Sequence, residues 1–117
     1  MAKTVLIVDD SQCFRASVRR MLEAEGFEVV GEAGDGVAGL REANELHPDL
    51  ILLDVQLPDF DGFEVASQLL AQNGSVPAVI LTSSRDASDF GALVADSGAR
   101  GFVAKGELSG AAIEALL

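Results

Sequence analysis

Short apolar runs alternate with stretches of helical period along the whole chain. Val5-Leu6-Ile7-Val8 is continuously apolar and closed by Asp9-Asp10, the pattern of a strand buried on both faces. Phe14, Val18, Met21 and Leu22 then recur at i, i+4, i+7 and i+8, one stripe of an amphipathic helix that Gly26 ends. Phe27 to Ala33 predicts a second strand, closed by the turn signal Gly34-Asp35-Gly36. Val37, Leu40, Ala43 and Leu46 form the next helical stripe, stopped at His47-Pro48. Leu50 to Leu53 is a third, wholly apolar strand, and Asp54 terminates it.

The same alternation continues to the end of the chain. Pro58 and Gly62 mark a loop before a helix with Phe63, Ala66, Leu69 and Leu70 on one face, broken at Asn73-Gly74. Ala78 to Leu81 predicts a fourth strand that runs out into Thr82, Ser83 and Ser84. A helix from Ala87 to Asp96 turns Phe90, Leu93 and Val94 inward, and Phe102-Val103-Ala104 is the fifth strand, ending at Lys105. Ser109 is suited to cap a closing helix that contains Ile113 and Leu116.

Strands alternating with helices predict a parallel sheet covered on both faces. With right-handed crossovers, five such units most often form a flavodoxin-like (βα)5 three-layer α/β sandwich with strand order 2-1-3-4-5. The 117 residues suit a single domain spanning 1–117.

In such sheets the ligand crevice lies beyond the carboxyl ends of the strands, where the strand order reverses. Here that point falls between the first and third strands, which end in Asp9-Asp10 and in Asp54. The fourth and fifth strands deliver Thr82 and Lys105 to the same rim. Two carboxylates ~4 Å apart repel by about 1 kcal/mol in bulk water and about 4 kcal/mol at an effective dielectric of 20. Three together need a cation or protons, and Lys105 supplies one charge. Hard oxygen donors with an open side suit Mg²⁺. A carboxylate beside that ion can attack a phosphoryl donor and become an aspartyl phosphate. The metal and an ammonium then neutralise phosphoryl oxygens, and a hydroxyl holds one of them; Asp10, Lys105 and Thr82 fit those parts.

Composition narrows the alternatives. Nineteen acidic against eight basic residues give a formal net charge of −11, which repels nucleic-acid backbones and anionic lipid, so neither DNA nor membrane is an expected partner of this chain alone. All six aromatic residues are Phe, few for a protein that stacks on bases or sugars. The single cysteine, Cys13, admits no intrachain disulfide and reads as a small, half-buried apolar residue of the first helix. No apolar run approaches the ~18 residues of a membrane span. With no signal-peptide pattern at the start either, the expected setting is cytoplasmic. The single histidine, His47, reads as a surface loop residue far from the rim.

The chain resembles the receiver domain of bacterial two-component response regulators. The resemblance rests on Val5-Leu6-Ile7-Val8-Asp9-Asp10, on Leu52-Leu53-Asp54-Val55-Gln56-Leu57-Pro58-Asp59-Phe60-Asp61-Gly62, on Leu81-Thr82-Ser83 and on Gly101-Phe102-Val103-Ala104-Lys105. It implies that Asp54 accepts a phosphoryl group from a sensor histidine kinase or a small phosphodonor. It also implies Mg²⁺ held by Asp10, Asp54 and the backbone carbonyl of Gln56, with Asp9 acting through water. Thr82 would swing toward the phosphoryl group and Phe102 would follow it inward, a two-state switch biased by new charge-assisted contacts.

Some positions depart from the common pattern. Lys105 is followed by Gly106 instead of Pro, Ser83 stands where Ala or Gly is frequent, and Phe102 lacks the hydroxyl of the often-seen Tyr. The ending Gly106-Glu107-Leu108-Ser109 looks like receivers attached to LuxR-type helix-turn-helix domains, so transcription regulation through an output domain is expected. The stop at Leu117, in an expected helix, suggests a fragment of a longer regulator; homodimerisation on phosphorylation stays open. Gln56 and Ser84, two residues past Asp54 and Thr82, flank the route of an attacking water and are expected to tune phosphoryl lifetime. As an enzyme the chain would act only on itself. The competing readings are a receiver-like module that takes no phosphate, a haloacid-dehalogenase-type phosphatase and a flavodoxin-type FMN carrier. The phosphatase needs a second Asp where Gln56 stands, and the FMN carrier needs a phosphate loop where Asp9-Asp10-Ser11 would repel phosphate.

Overall fold

The computed structural model describes residues 2–71, 77–84, 90 and 92–117. Strands β1 (Thr4–Val8), β2 (Glu28–Ala33), β3 (Leu50–Asp54), β4 (Ala78–Ser83) and β5 (Gly101–Ala104) form one sheet in the order β2-β1-β3-β4-β5, every neighbouring pair parallel. Helices α1 (Gln12–Ala24), α2 (Gly36–Leu46), α3 (Gly62–Leu70), α4 (Leu93–Asp96) and α5 (Gly110–Glu114) make the crossovers and the close. The expected strand order and three-layer sandwich are thus observed.

Side chains alternate along each strand, so the sheet feeds two cores. Val5, Ile7, Leu50, Leu52, Ile80 and Val103 meet α1 and α5 through Val18, Leu22 and Ile113. Leu6, Val8, Ile51, Leu53, Val79 and Leu81 meet α2 and α3 through Ala43, Val65, Ala66 and Leu69. The central strands are apolar at both parities because both of their faces are covered. Ser11, Asp35, Asp61 and Ser109 cap α1, α2, α3 and α5, each accepting from a backbone N–H three residues on. Gly26 closes α1 at φ +94°, a conformation that favours glycine, and lets Phe27 N–H bond back to Leu22.

Three apolar expectations fail. Val37, Leu46 and Leu93 are largely exposed. Helix α2 buries Gly36, Gly39 and Ala43; a Cβ on Gly36 would meet Phe60 and Val65 at 3.0 Å and one on Gly39 would stand 3.0 Å from Val8, so the helix sits too close to its neighbours for larger residues there. Leu46 leans over Gly31 of the edge strand β2. Leu93 lies beside Phe63 and Ser97 in an open groove, while Phe90 and Val94 pack inward as expected. Phe27 is buried but precedes β2, and Cys13 is exposed on the outer face of α1, away from the half-buried place expected for it. The expected break at Asn73-Gly74 and most of the turn of helix expected from Ala87 lie outside the described residues. No helix among the described residues is long and apolar enough to cross a membrane.

Candidate phosphoacceptor site

The strand order reverses at β1 and β3, and the residues that follow or end these strands are Asp9, Asp10 and Asp54. One carboxylate oxygen from each lies within 4.8 Å of the others. Asp9 is fully buried and Asp54 nearly so, while Asp10 is exposed. The two buried carboxylates are held alike. Asp9 Oδ1 accepts from Ser11 N–H at 2.8 Å and Asp54 Oδ1 from Gln56 N–H at 3.0 Å, each closing a turn two residues on. Each then offers Oδ2 to Lys105, whose Nζ lies 2.7 Å from Asp9 and 3.2 Å from Asp54. The contact to Asp54 is a hydrogen bond. The shorter contact to Asp9 is an ion pair.

Burial dominates the electrostatics. Desolvation pushes the Asp54 carboxyl up to about 6; the Gln56 N–H opposes this, the Asp9 charge adds to it, and Lys105 counters. Burial alone would lower the Lys105 ammonium, but Asp9 and Asp54 hold it above its ordinary value, so it stays charged. Thr82 pairs with Asp54 across the sheet, is buried, and its Oγ1 has no hydrogen-bond partner among the described residues. A buried hydroxyl without a partner costs free energy unless something binds it.

Four neighbours of the site were not singled out by sequence reasoning. Gly62, expected only to mark the loop before α3, donates its N–H to the Val55 carbonyl at 2.7 Å, and a Cβ there would fall 2.3 Å from the Asp54 carbonyl oxygen. Arg15 donates to the Asp9 carbonyl and pairs with Glu32 at 3.1 Å, tying α1 to β2 under the site. Asp59 reaches from the β3–α3 loop to the start of α2, accepting from Gly36 N–H at 2.7 Å and Val37 N–H at 3.0 Å. Desolvation is the largest single influence and would raise its carboxyl, but those donors and Phe60 N–H together outweigh it and hold the carboxyl below its ordinary value. Phe14 sets its ring centroid 4.2 Å from Lys105 Nζ. Only Gly62 has a local sequence signal; the rest depend on contacts made across the fold.

Of the expected residues, Asp9, Asp10, Asp54, Thr82 and Lys105 come together at one rim. Gln56 and Ser84 are exposed beside it, and Gln56 also bridges to Asp61 across the loop. Phe102 is half-buried next to Leu81, its ring 5.6 Å from Phe90, which in turn lies 5.5 Å from Phe63. His47 caps α2 at the opposite end of the sheet, exposed and at φ +47°.

A doubly wound five-stranded sheet with buried carboxylates and a lysine gathered at its switch point defines the CheY-like class of flavodoxin folds. The chain belongs to the response regulator receiver domain family, whose model matches residues 5–116. It is 41% identical over 107 residues to the virulence-factor transcription regulator BvgA of Bordetella pertussis, covering 92% of this chain and 51% of that protein. A LuxR-family two-component response regulator from Aurantimonas superposes with a TM-score of 0.88 at 29% identity, over 99% of this chain and 85% of that one. The receiver domain of NarL from Mycobacterium tuberculosis gives 0.84 at 31% identity, over 98% and 96%. The chain spans about half the length of the curated relatives it matches first. It is a response regulator receiver domain, membership with which phosphorylation-activated two-component signalling is consistent, and neither the unphosphorylated module nor the phosphatase is favoured.

Proposed function

We propose that Asp54 is the phosphoryl acceptor of this receiver and that Lys105 and Thr82 hold the transferred group. The carrying observation is the pairing of a buried carboxylate whose pKa is raised to about 6 with a charged lysine at 3.2 Å and a buried, unpartnered hydroxyl on the adjoining strand. With Oδ1 engaged by Gln56 N–H, Asp54 Oδ2 is the nucleophile. It attacks phosphorus, the bond from phosphorus to the donor's leaving group breaks, and that group departs with the electron pair. Lys105 meets the charge on the phosphoryl oxygens, and Thr82 Oγ1 turns to donate to one of them. Phe102 takes up room that Thr82 vacates, and this movement carries the signal outward.

The donor set also fits a divalent cation. Three carboxylates have ligand atoms within 4.8 Å of one another, Lys105 meets two of them, and hard oxygens of this kind suit Mg²⁺. Asp10, Asp54 and the Gln56 carbonyl would hold it, with Asp9 through water. When bound, the ion supplies positive charge against the phosphoryl oxygens. Gln56 and Ser84, exposed at the rim, tune how readily water reaches the acyl phosphate. The physiological donor is a sensor histidine kinase, and the output is a transcription-regulating domain of the LuxR kind. The chain acts on no substrate besides itself.

Acetyl phosphate with Mg²⁺, read by intact mass, tests the acceptor. Wild type gains one phosphoryl group and Asp54→Asn gains none; equal modification of the two would overturn the assignment.

A further inference from the structure

Among the described residues the ammonium of Lys105 meets three groups: Asp9 Oδ2 at 2.7 Å, Asp54 Oδ2 at 3.2 Å and the ring centroid of Phe14 at 4.2 Å. Two of them are carboxylates of the reacting cluster. The third comes from the first turn of α1 and carries no charge. The backbone that bears the lysine leaves the sheet directly after Ala104, which pairs with Ser83. Lys105 opens a single 3₁₀ turn, Lys105–Glu107. The next residue, Gly106, is exposed, and a Cβ placed there would meet nothing within 4 Å. A glycine at this position leaves the turn its full backbone freedom. A groove of about 400 Å³, lined by Phe14, Val18, Met21, Lys105, Gly106 and Leu108 among others, opens beside the turn.

We propose that Phe14 is a positioning residue for Lys105: its ring, and not the loose turn that follows the lysine, keeps the ammonium at Asp54. The proposal rests on Asp54 being the phosphoryl acceptor. Its physical basis is the attraction of a cation to the negative face of an aromatic ring. A ring suits this task better than a further carboxylate. Once Asp54 carries the phosphoryl group, its Oδ charge is gone and the lysine has to serve phosphoryl oxygens. A third carboxylate would compete with those oxygens for the ammonium, whereas the ring gives direction without taking a hydrogen bond. Phe14 therefore offers the lysine the same support before and after transfer.

The test is a double-substitution cycle on the rate of modification by acetyl phosphate and Mg²⁺, combined with NMR of the unmodified protein. Phe14→Leu keeps apolar bulk and removes the ring; its rate falls about threefold to tenfold, the loss expected for a half-buried contact of this kind. Phe14→Tyr keeps the ring and stays near wild type. In a Lys105→Ala background Phe14→Leu produces no further loss, because the group it positions is absent. In the unmodified protein the ε-methylene protons of Lys105 are shifted upfield by the ring, a shift that Phe14→Tyr retains and Phe14→Leu abolishes. An equal loss in the Lys105→Ala background, or unshifted ε-methylene protons in wild type, overturns the proposal. A wild type that takes no phosphoryl group overturns the acceptor assignment and this role with it. A wild type that is modified no faster than Phe14→Leu overturns this role alone.

Discussion

Asp49 and Asp54 flank one strand, at the two ends of β3, and the fold treats them in opposite ways. Asp49 is exposed and answered in full. Its Oδ2 accepts from Thr4 N–H at 2.9 Å and from the Thr4 hydroxyl at 3.2 Å, and its own N–H donates to Thr4 Oγ1 at 2.9 Å. The Thr4 N–H leads the contacts that hold its carboxyl below the usual value. Asp54 is buried, shares a single lysine with Asp9, and is pushed up to about 6. The lower end of the sheet is closed by reciprocal hydrogen bonds; at the upper end the buried Thr82 Oγ1 has no hydrogen-bond partner among the described residues. A fold that satisfies its carboxylates where nothing happens, and leaves them strained at one rim, marks that rim as the place of chemistry.

The contrast is broken most severely at Gly62. Its Cβ, were there one, would lie 2.3 Å from the Asp54 carbonyl oxygen and 2.6 Å from Val55 Cα. Backbone cannot yield as a side-chain tip can, so Gly62→Ala has to displace α3 or the end of β3. Destabilisation of about 3 kcal/mol is expected, read as a lowered urea midpoint, together with loss of modification by acetyl phosphate. A variant with wild-type stability and full modification would show that the loop moves freely and that the upper end is not rigidly built.

A gentler change sharpens the comparison. Asp54→Asn keeps an oxygen for Gln56 N–H and removes the buried charge. The Asp54 pKa stands at about 6 in the folded chain against 3.8 ordinarily. Below pH 3.8 the carboxyl is protonated both folded and unfolded, and wild type bears no penalty. As pH rises through the window to about 6, the unfolded chain ionises first and wild-type stability falls, reaching a plateau above it. Taken at face value the shift is worth about 3 kcal/mol, and water at the open rim reduces it to about 1 kcal/mol. Without divalent cation, Asp54→Asn is therefore more stable than wild type at pH 7.5 by about 1 kcal/mol, with the difference gone near pH 4. Equal midpoints at both pH values would remove burial as the cause of the shift.

Much of this was legible in the sequence because parallel strands bring their carboxyl ends to one edge. Asp9, Asp10, Asp54, Thr82 and Lys105 each end or follow an apolar run, and a run of three or four apolar residues is readable without knowledge of its neighbours. What was hidden depends on distance between layers. Helix α2 was read by Val37, Leu40, Ala43 and Leu46; Ala43 and Leu40 do pack on the core, but Val37 and Leu46 are exposed while Gly36 and Gly39 are buried, and glycines carry little hydropathy signal. Asp59 grips the start of α2 across 23 residues of sequence, and Phe14 meets Lys105 from a helix at the other end of the chain. No periodicity announces such contacts. Nor does a sequence say which of several strand-end acids is buried, the feature that separates Asp54 from the exposed Asp10.

The smallest expected effect lies at the satisfied end. Asp49→Asn keeps a side-chain oxygen for Thr4 but loses the charge that the Thr4 donors stabilise. Because the folded pKa of Asp49 is lowered, its contribution is present above the ordinary value of 3.8 and is lost as pH falls through the folded value. The variant is therefore slightly less stable than wild type at pH 7.5 and equal to it in strong acid, the reverse of Asp54→Asn in sign. Asp49 is open to solvent, so added salt should shrink its effect further, while the buried Asp54 responds to salt far less. Urea midpoints of the two variants at pH 7.5, in low and high salt, put the comparison to its finest test. Two effects of the same sign would mean that the ends of β3 do not differ in the way their hydrogen bonds imply.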